Sequence, residues 1–483
     1  MRVNSNENAH KGGRKEKMNY KNGKMNDVNI AYIGGGSRGW AWTFMTDLAL
    51  DDEISGTIRL YDIDKEAAQV NATIGNNLMA REDAKGDWKF VVKDSLKDAL
   101  EGTDFVVVSI LPGTFDEMES DVHLPERLGV YQSVGDTAGC GGMIRALRTI
   151  PMFVEIANAV KEYSPDAWVI NYTNPMSLCV KTLYETFPQI KAFGCCHEVF
   201  GTQKVLQTVY EKETGEKIED WHDIHINVVG INHFTWFTES SYKGVDLFPV
   251  YRSYIDKHFD EGVTIESENW LNANFLCKHR VKMDLFNKYG MIAAAGDRHL
   301  AEFMPGNEYL SDPETVKNWD FALTSVEWRK EDLKQRLERS KRLASGEEKM
   351  TLAETGEEGI LLIKALCGLS RFVSNVNIPN YASQIPNLPK NALVETNAVF
   401  SRDSIRPIFA GEVPEGIKKL LDPHIANHDR IYKAATTCNK QLVYEAFEND
   451  PQFIGKNCSV EDIHKLVDDM IENTKNYLPK GWK

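Results

Sequence analysis

The chain has 483 residues, 42% of them apolar, and a net charge of −15. That length can bury a sizeable core and suggests two structural parts or one fused body. The acidic balance argues against non-specific nucleic-acid binding, which needs basic patches, and no apolar run approaches the ~20 residues that span a bilayer.

The first 27 residues are rich in Asn and Lys and lack the apolar centre of a secretory signal, so the composition predicts a disordered tail over 1–27. Eight cysteines behind such a start fit a reducing, cytoplasmic setting without disulfides. The neighbours Cys195 and Cys196 are poor candidates for a bridge, and a free thiolate acting as a ligand is the sharper option. Val28–Ile33, VNIAYI, reads as a buried parallel strand. The GGGSRG that follows sets Gly34, Gly36 and Gly39 at the spacing of a dinucleotide-binding turn, with Ser37 inside it. A helical pattern comes next, then the strand Thr57–Tyr61 and Asp62. Gly34 allows the tight turn, Gly36 lets the backbone approach a pyrophosphate, and Gly39 packs helix on strand. Asp62 is placed for the adenosine ribose hydroxyls, and an acid there favours NAD over NADP.

Strands are expected at 103–110, 168–174 and 190–196, giving five with helical connections: a doubly wound sheet over 28–200. Asp136–Arg148 reads as a glycine-rich loop entering a helix, with Arg145 and Arg148 one turn apart. Asn171 and Asn174 fall at a strand's carboxyl end, stopped by Pro175. The run AFGCCHEVFG then places Cys196, His197 and Glu198 at the start of a helix. From about residue 222 the pattern alternates and carries GINHF, so antiparallel strands are expected around His233. Helical periodicity covers 313–346 and 352–374. The prolines of 375–401 suggest loops and short strands, and 425–446 and 460–477 read as closing helices. The part from 201 to 483 is thus expected to be α+β and to pack on the carboxyl edge of the nucleotide sheet. Cys196 and His233 offer one thiolate and one imidazole that a fold could bring to a single divalent ion.

GGGSRGW, NYTNP, CHEV, GINHF and GDRHLAEF together resemble the NAD- and manganese-dependent family-four glycoside hydrolases, from about residue 28 to beyond 400. The resemblance implies a Rossmann-type domain fused to a lactate/malate-dehydrogenase-like α+β domain, and it implies NAD and Mn²⁺ as cofactors. Cys196-His197-Glu198-Val199 looks like the α-galacturonidase branch. The implied chemistry is a redox-assisted elimination and addition in which the hydride taken from C3 of the sugar is finally returned, not displacement by two carboxylates. By the same resemblance Cys196 and His233 are the metal ligands, His197 the leaving-group acid and Asp297 the C2 base, with His299 and Glu302 as neighbouring alternatives. Asn174 contacts substrate and nicotinamide ribose. A uronate carboxylate asks for an arginine, and Arg145, Arg148 and Arg298 are the candidates. The size suits a homodimer or homotetramer, and the expected partner is a uronide sugar. Relatives acting on α-glucuronides, α-galactosides or α-glucosides, and a hydroxy-acid dehydrogenase on the shared fold, are the rival readings.

Overall fold

The protein is described by a computed structural model over residues 18–265 and 277–482. In chain order the strands are β1 (Asn19–Lys21), β2 (Lys24–Ile33), β3 (Ile54–Tyr61), β4 (Asp87–Val92), β5 (Phe105–Val108), β6 (Trp168–Asn171) and β7 (Lys191–Gly194). They are followed by β8 (His225–Ile231), β9 (Phe234–Tyr242), β10 (Val245–Asp246), β11 (Ile292–Ala293), β12 (Phe372–Pro379), β13 (Leu393–Ser401) and β14 (Ser404–Pro407).

One sheet runs β14-β13-β12-β7-β6-β5-β2-β3-β4. Its stretch from β4 to β7 is parallel, with the order reversing direction at β2 and β5. That is the doubly wound plan, whose crevice opens at the switch point, outside the carboxyl ends of the strands. The β-branched, apolar runs in its centre explain the burial of both faces. Ile30, Tyr32, Phe105 and Val107 point into one core layer. Their neighbours Ala31, Ile33, Val106 and Val108 point into the other.

Four sequence expectations need correction. Residues 18–27, assigned to the tail by composition, form a hairpin in which β1 pairs with the first turn of β2; residues 1–17 lie outside the described residues. The parallel strands include β4, whose charged DWKFVV run hides its register: only Trp88 and Phe90 are fully buried. Residues 352–358 are not helical; the helix is Gly359–Cys367, and 372–379 is β12. Finally, the proline-rich 375–401 stretch supplies two full antiparallel strands that extend the nucleotide sheet beyond β7, through the single pair Asn377–Gly194. The later part therefore joins that sheet edge to edge as well as packing over its carboxyl end.

The second sheet is built on the β8–β9 hairpin, with β11 on its other side. Val229, Ile231, Phe234 and Trp236 anchor it in a core shared with the helices Arg280–Tyr289 and Asp297–Phe303. Its two-residue turn, Asn232–His233, faces the carboxyl ends of β6 and β7.

Candidate active site

Gly34 leaves β2 with φ +94°, and a Cβ there would lie 2.0 Å from the Ser109 carbonyl oxygen. A Cβ on Gly36 would lie 2.7 Å from Ala67 Cβ and 3.0 Å from Asp62 Oδ2. These two positions need glycine. The Gly36 N–H donates to Asp62 Oδ2 at 2.8 Å, so the loop and the acid after β3 are held together before any ligand arrives. Asn71 Nδ2 donates to the carbonyls of Gly35 and Ser37, fixing the loop from below. Gly39 is the N-cap of the helix Trp40–Leu50 without a side-chain cap, which leaves first-turn N–H groups for an anion. Ser37 and Gly39 thus border the surface a pyrophosphate would meet.

At the carboxyl end of β7 the two cysteines part. Cys195 joins the core beneath the sheet. Cys196 packs against Met176, Val180 and Leu393 on the crevice side. Its thiol is pushed well up by burial, then by the nearby Glu395 and Glu198, while the Asn232 side chain hydrogen-bonds it. The β8–β9 turn carries Asn232, and with it His233, to Cys196. His233 takes φ +63° and is buried. Thr137 Oγ1 donates to Asp136 Oδ1 at 2.8 Å, so its oxygen accepts at 3.0 Å from His233 Nδ1. That fixes the proton on Nδ1 and leaves the Nε2 lone pair free to ligate. Burial, with His299 beside it at 3.8 Å between ring centres, pushes His233 down to about 3, so the ring is neutral as a ligand must be.

These features fit a divalent ion. Asn232 joins the turn of the neutral His233 ring to the Cys196 thiol, and buried oxygens are left over: Asn232 Oδ1 and Asn174 Oδ1 have no hydrogen-bond partner among the described residues. Asn174 follows β6, and its Nδ2 reaches Asp136 Oδ1 at 3.4 Å. The side chain of Asn171, the other asparagine of that strand end, bonds within its own turn, to Thr173.

His197 begins the helix Glu198–Thr214. Its Nδ1 lies 3.3 Å from Glu357 Oε1 and its Nε2 3.8 Å from Glu198 Oε1. Burial raises the Glu357 carboxyl. Glu198 Oε2 accepts the Gly296 N–H at 2.7 Å, and Oε1 lies 3.6 Å from His299 Nε2. Burial opposes its charge, but His299, His197 and His233 outweigh burial and hold the carboxyl below its usual range. Glu198 is therefore tied to the backbone of the neighbouring helix start.

The other predicted residues divide. Asp297 is fully buried, and its two oxygens accept from the Val281 and Lys282 N–H groups at 3.1 Å, at the start of the helix Arg280–Tyr289. Burial raises it to about 6 against the pull of Lys282. Of its alternatives, His299 faces His233 and Glu198. Glu302 accepts from Val134 and Gly135 N–H and supports the 132–136 loop from behind. Arg148 does not reach the crevice: it has no exposure and pairs with Asp121, with its Nε on the Pro112 carbonyl. Arg298 is also structural, donating to the carbonyls of Ser133 and Ala322 and to Thr324 Oγ1. Arg145 remains at the crevice, its Nε on the Asn174 carbonyl at 3.1 Å and its charge opposite Asp136. Thr137, Glu357 and Glu395 escaped the sequence reading, because nothing near them in the chain marks them.

Residues 29–212 match the description Family 4 glycosyl hydrolase, and residues 228–453 match its C-terminal domain. An α-galacturonidase of Lachnoclostridium phytofermentans is 66% identical over 96% of this chain and 100% of its own length. A Bacillus subtilis crystal structure bearing the name glucosidase lplD superposes with a TM-score of 0.86 at 47% identity, covering 92% of this chain and 100% of its own. A 6-phospho-α-glucosidase from gut microorganisms, solved in complex with NAD and Mn²⁺, shares the fold with a TM-score of 0.75 at 21% identity, over 94% of this chain and 99% of its own.

Proposed function

Because the chain belongs to the family 4 glycosyl hydrolases, we propose that it is an α-galacturonidase dependent on NAD and a divalent metal such as Mn²⁺. The observation that carries the substrate is the 66% identity to an α-galacturonidase along almost the whole of both chains. The glycine loop Gly34–Gly39 with Asp62 holds the dinucleotide, and Cys196 and His233 hold the metal. When bound, NAD supplies a hydride acceptor that is restored within each turnover, and the metal supplies Lewis-acid polarisation of the sugar oxygens.

The chain's own residues do the rest. His197, steered by Glu357, gives a proton to the departing glycosidic oxygen. Asp297 takes the proton from C2; its value near 6 suits a base at neutral pH. Asn174 binds the sugar and the nicotinamide ribose, and Arg145 faces the C6 carboxylate. Arg298 acts on the site by fixing Ser133 and hence the loop that carries Asp136 and Thr137. The buried walls around Cys196 and His233 keep bulk water from the polarised sugar.

The test is a panel of 4-nitrophenyl α-glycosides (galacturonide, glucuronide, galactoside, glucoside) assayed with NAD⁺, Mn²⁺ and a reductant. The galacturonide should be cleaved at least tenfold faster than the others, with no NADH absorbance building up in the steady state. NADH rising in step with product would replace this reading by a dehydrogenase, and preference for the galactoside would overturn the uronide assignment.

A further inference from the structure

Behind Cys196, four segments far apart in sequence converge on one buried carboxylate. Glu395 on β13 pairs across to Asn377 on β12, and Asn377 pairs in turn with Gly194, two residues before Cys196. Glu395 is 1% exposed, with Asn232 at 1% and Asn375 at 4% beside it. Asn232 Nδ2 donates to Glu395 Oε2 at 3.2 Å. Asn375 Nδ2 donates to Glu395 Oε1 and, at 3.2 Å, to the Cys196 carbonyl oxygen. The two carboxyl oxygens thus each accept from one of these carboxamide arms, with the Asn377 side chain also bonding to Glu395. One arm ends on the backbone of Cys196, and the other on the residue next to His233.

An apolar side chain between two strands is favourable to bury, whereas a carboxyl there must be desolvated and hydrogen-bonded, and burial raises Glu395 to about 7. Its role is legible in what the arms hold. Both arms meet on Glu395; without it the Cys196 loop and the β8–β9 turn keep, in this network, only the Asn232 hydrogen bond to the Cys196 thiol, and the separation of thiol and imidazole is less tightly set. Metal ligands held by such outer partners lose roughly ten- to hundredfold in affinity when a partner is removed.

We propose that Glu395 is a positioning residue for the divalent ion, setting the Cys196–His233 separation through Asn375 and Asn232. The inference rests on the reading of Cys196 and His233 as the ligands. Glu395→Gln keeps the shape but turns one acceptor into an N–H₂ group facing a donor, so one arm breaks.

The experiment is titration of the NAD⁺-loaded protein with Mn²⁺, reading free Mn²⁺ by electron paramagnetic resonance. NAD⁺ affinity and the melting midpoint are measured beside it. Glu395→Gln should weaken Mn²⁺ binding ten- to hundredfold with NAD⁺ affinity unchanged. Asn375→Ala should weaken it in the same direction, and the double variant should fall short of the sum of the two in free energy, since both act on one arm. Wild-type Mn²⁺ affinity in folded Glu395→Gln overturns the proposal, and if that variant does not fold, wild-type affinity in Asn375→Ala overturns it. Cys196→Ser separates the two failures: undiminished Mn²⁺ binding there sinks the ligand assignment and this inference with it, whereas loss there with intact binding in the Glu395 and Asn375 variants sinks only the positioning role.

Discussion

Arg145 and Arg148 sit one turn apart on the helix Gly139–Tyr163 and both are buried, but only the first reaches the strand-end residue Asn174. Arg148 is enclosed with Asp121, and its remaining donors meet Pro112 and Thr474. Truncating one member of such a pair leaves the other charged and unpaired in the interior. Arg148→Ala should therefore lower the unfolding free energy by about 3–5 kcal/mol in urea titration, or prevent folding. Arg145→Ala removes the charge opposite buried Asp136, so it should lower the urea midpoint as well, and it should lower kcat/KM for a galacturonide far more than for a galactoside. At Cys196 the expectation concerns chemistry instead of stability. Serine is a poor thiolate substitute for a divalent ion, so Cys196→Ser should cut turnover by orders of magnitude while NAD⁺ binding, measured by calorimetry, stays near normal. The sequence named Cys196 and His233 because sulfur and imidazole are rare enough to be informative. It could not rank the arginines, whose chemistry is identical until their neighbours are known.

The β8–β9 turn shows how an element holds the proposed ligand His233. His233 is held in the left-handed region, where a side chain other than Gly, Asn or Asp costs about 1 kcal/mol. His233→Asn should relieve that strain and keep the hairpin, giving a melting midpoint close to wild type, while Mn²⁺ binding is lost; a collapse of the midpoint would mean that the ring is chiefly a packing element. The helix start at Arg280 makes a related case. Asp297 holds the Val281 and Lys282 N–H groups from another segment, a cap that no local pattern announces. Asp297→Asn should cost about 1 kcal/mol of stability through the weakened cap. It should also cost about 10²–10⁴-fold in turnover through the missing base. A stability loss with full activity would return the C2 proton to His299.

Across the whole molecule, several carboxyls are buried without a cation in direct contact. Burial lifts Asp450 to about 7, its chief compensation being the Gln452 N–H, and it lifts Glu302 to about 8 and Asp47 to about 7. Each holds a proton in the native state that the unfolded chain, with values near 4, releases. Their own share of the unfolding free energy therefore falls as pH rises from about 4 to about 8, while the neutral buried rings of His233, His279 and His424 contribute with the opposite sign below about pH 6.5. Asp450→Asn should raise the unfolding free energy by on the order of 4 kcal/mol at pH 8 and about 1.5 kcal/mol at pH 5; a rise of equal size at both would refute the titration. At this scale, periodicity and the glycine spacing determined the nucleotide-binding half, because a parallel strand buried on both faces must be apolar throughout and a phosphate-binding turn must be free of Cβ atoms. The helix starts near Trp40 and Glu198 and the hairpin around His233 were legible for the same local reason. The addition of β12, β13 and β14 to the sheet, the burial of Arg148 and the meeting of Glu357 with His197 and of Glu395 with the Cys196 loop were settled only by the tertiary structure. Each of these depends on which distant segment lies alongside, and pairing between strands nearly two hundred residues apart leaves no mark on the local sequence of either.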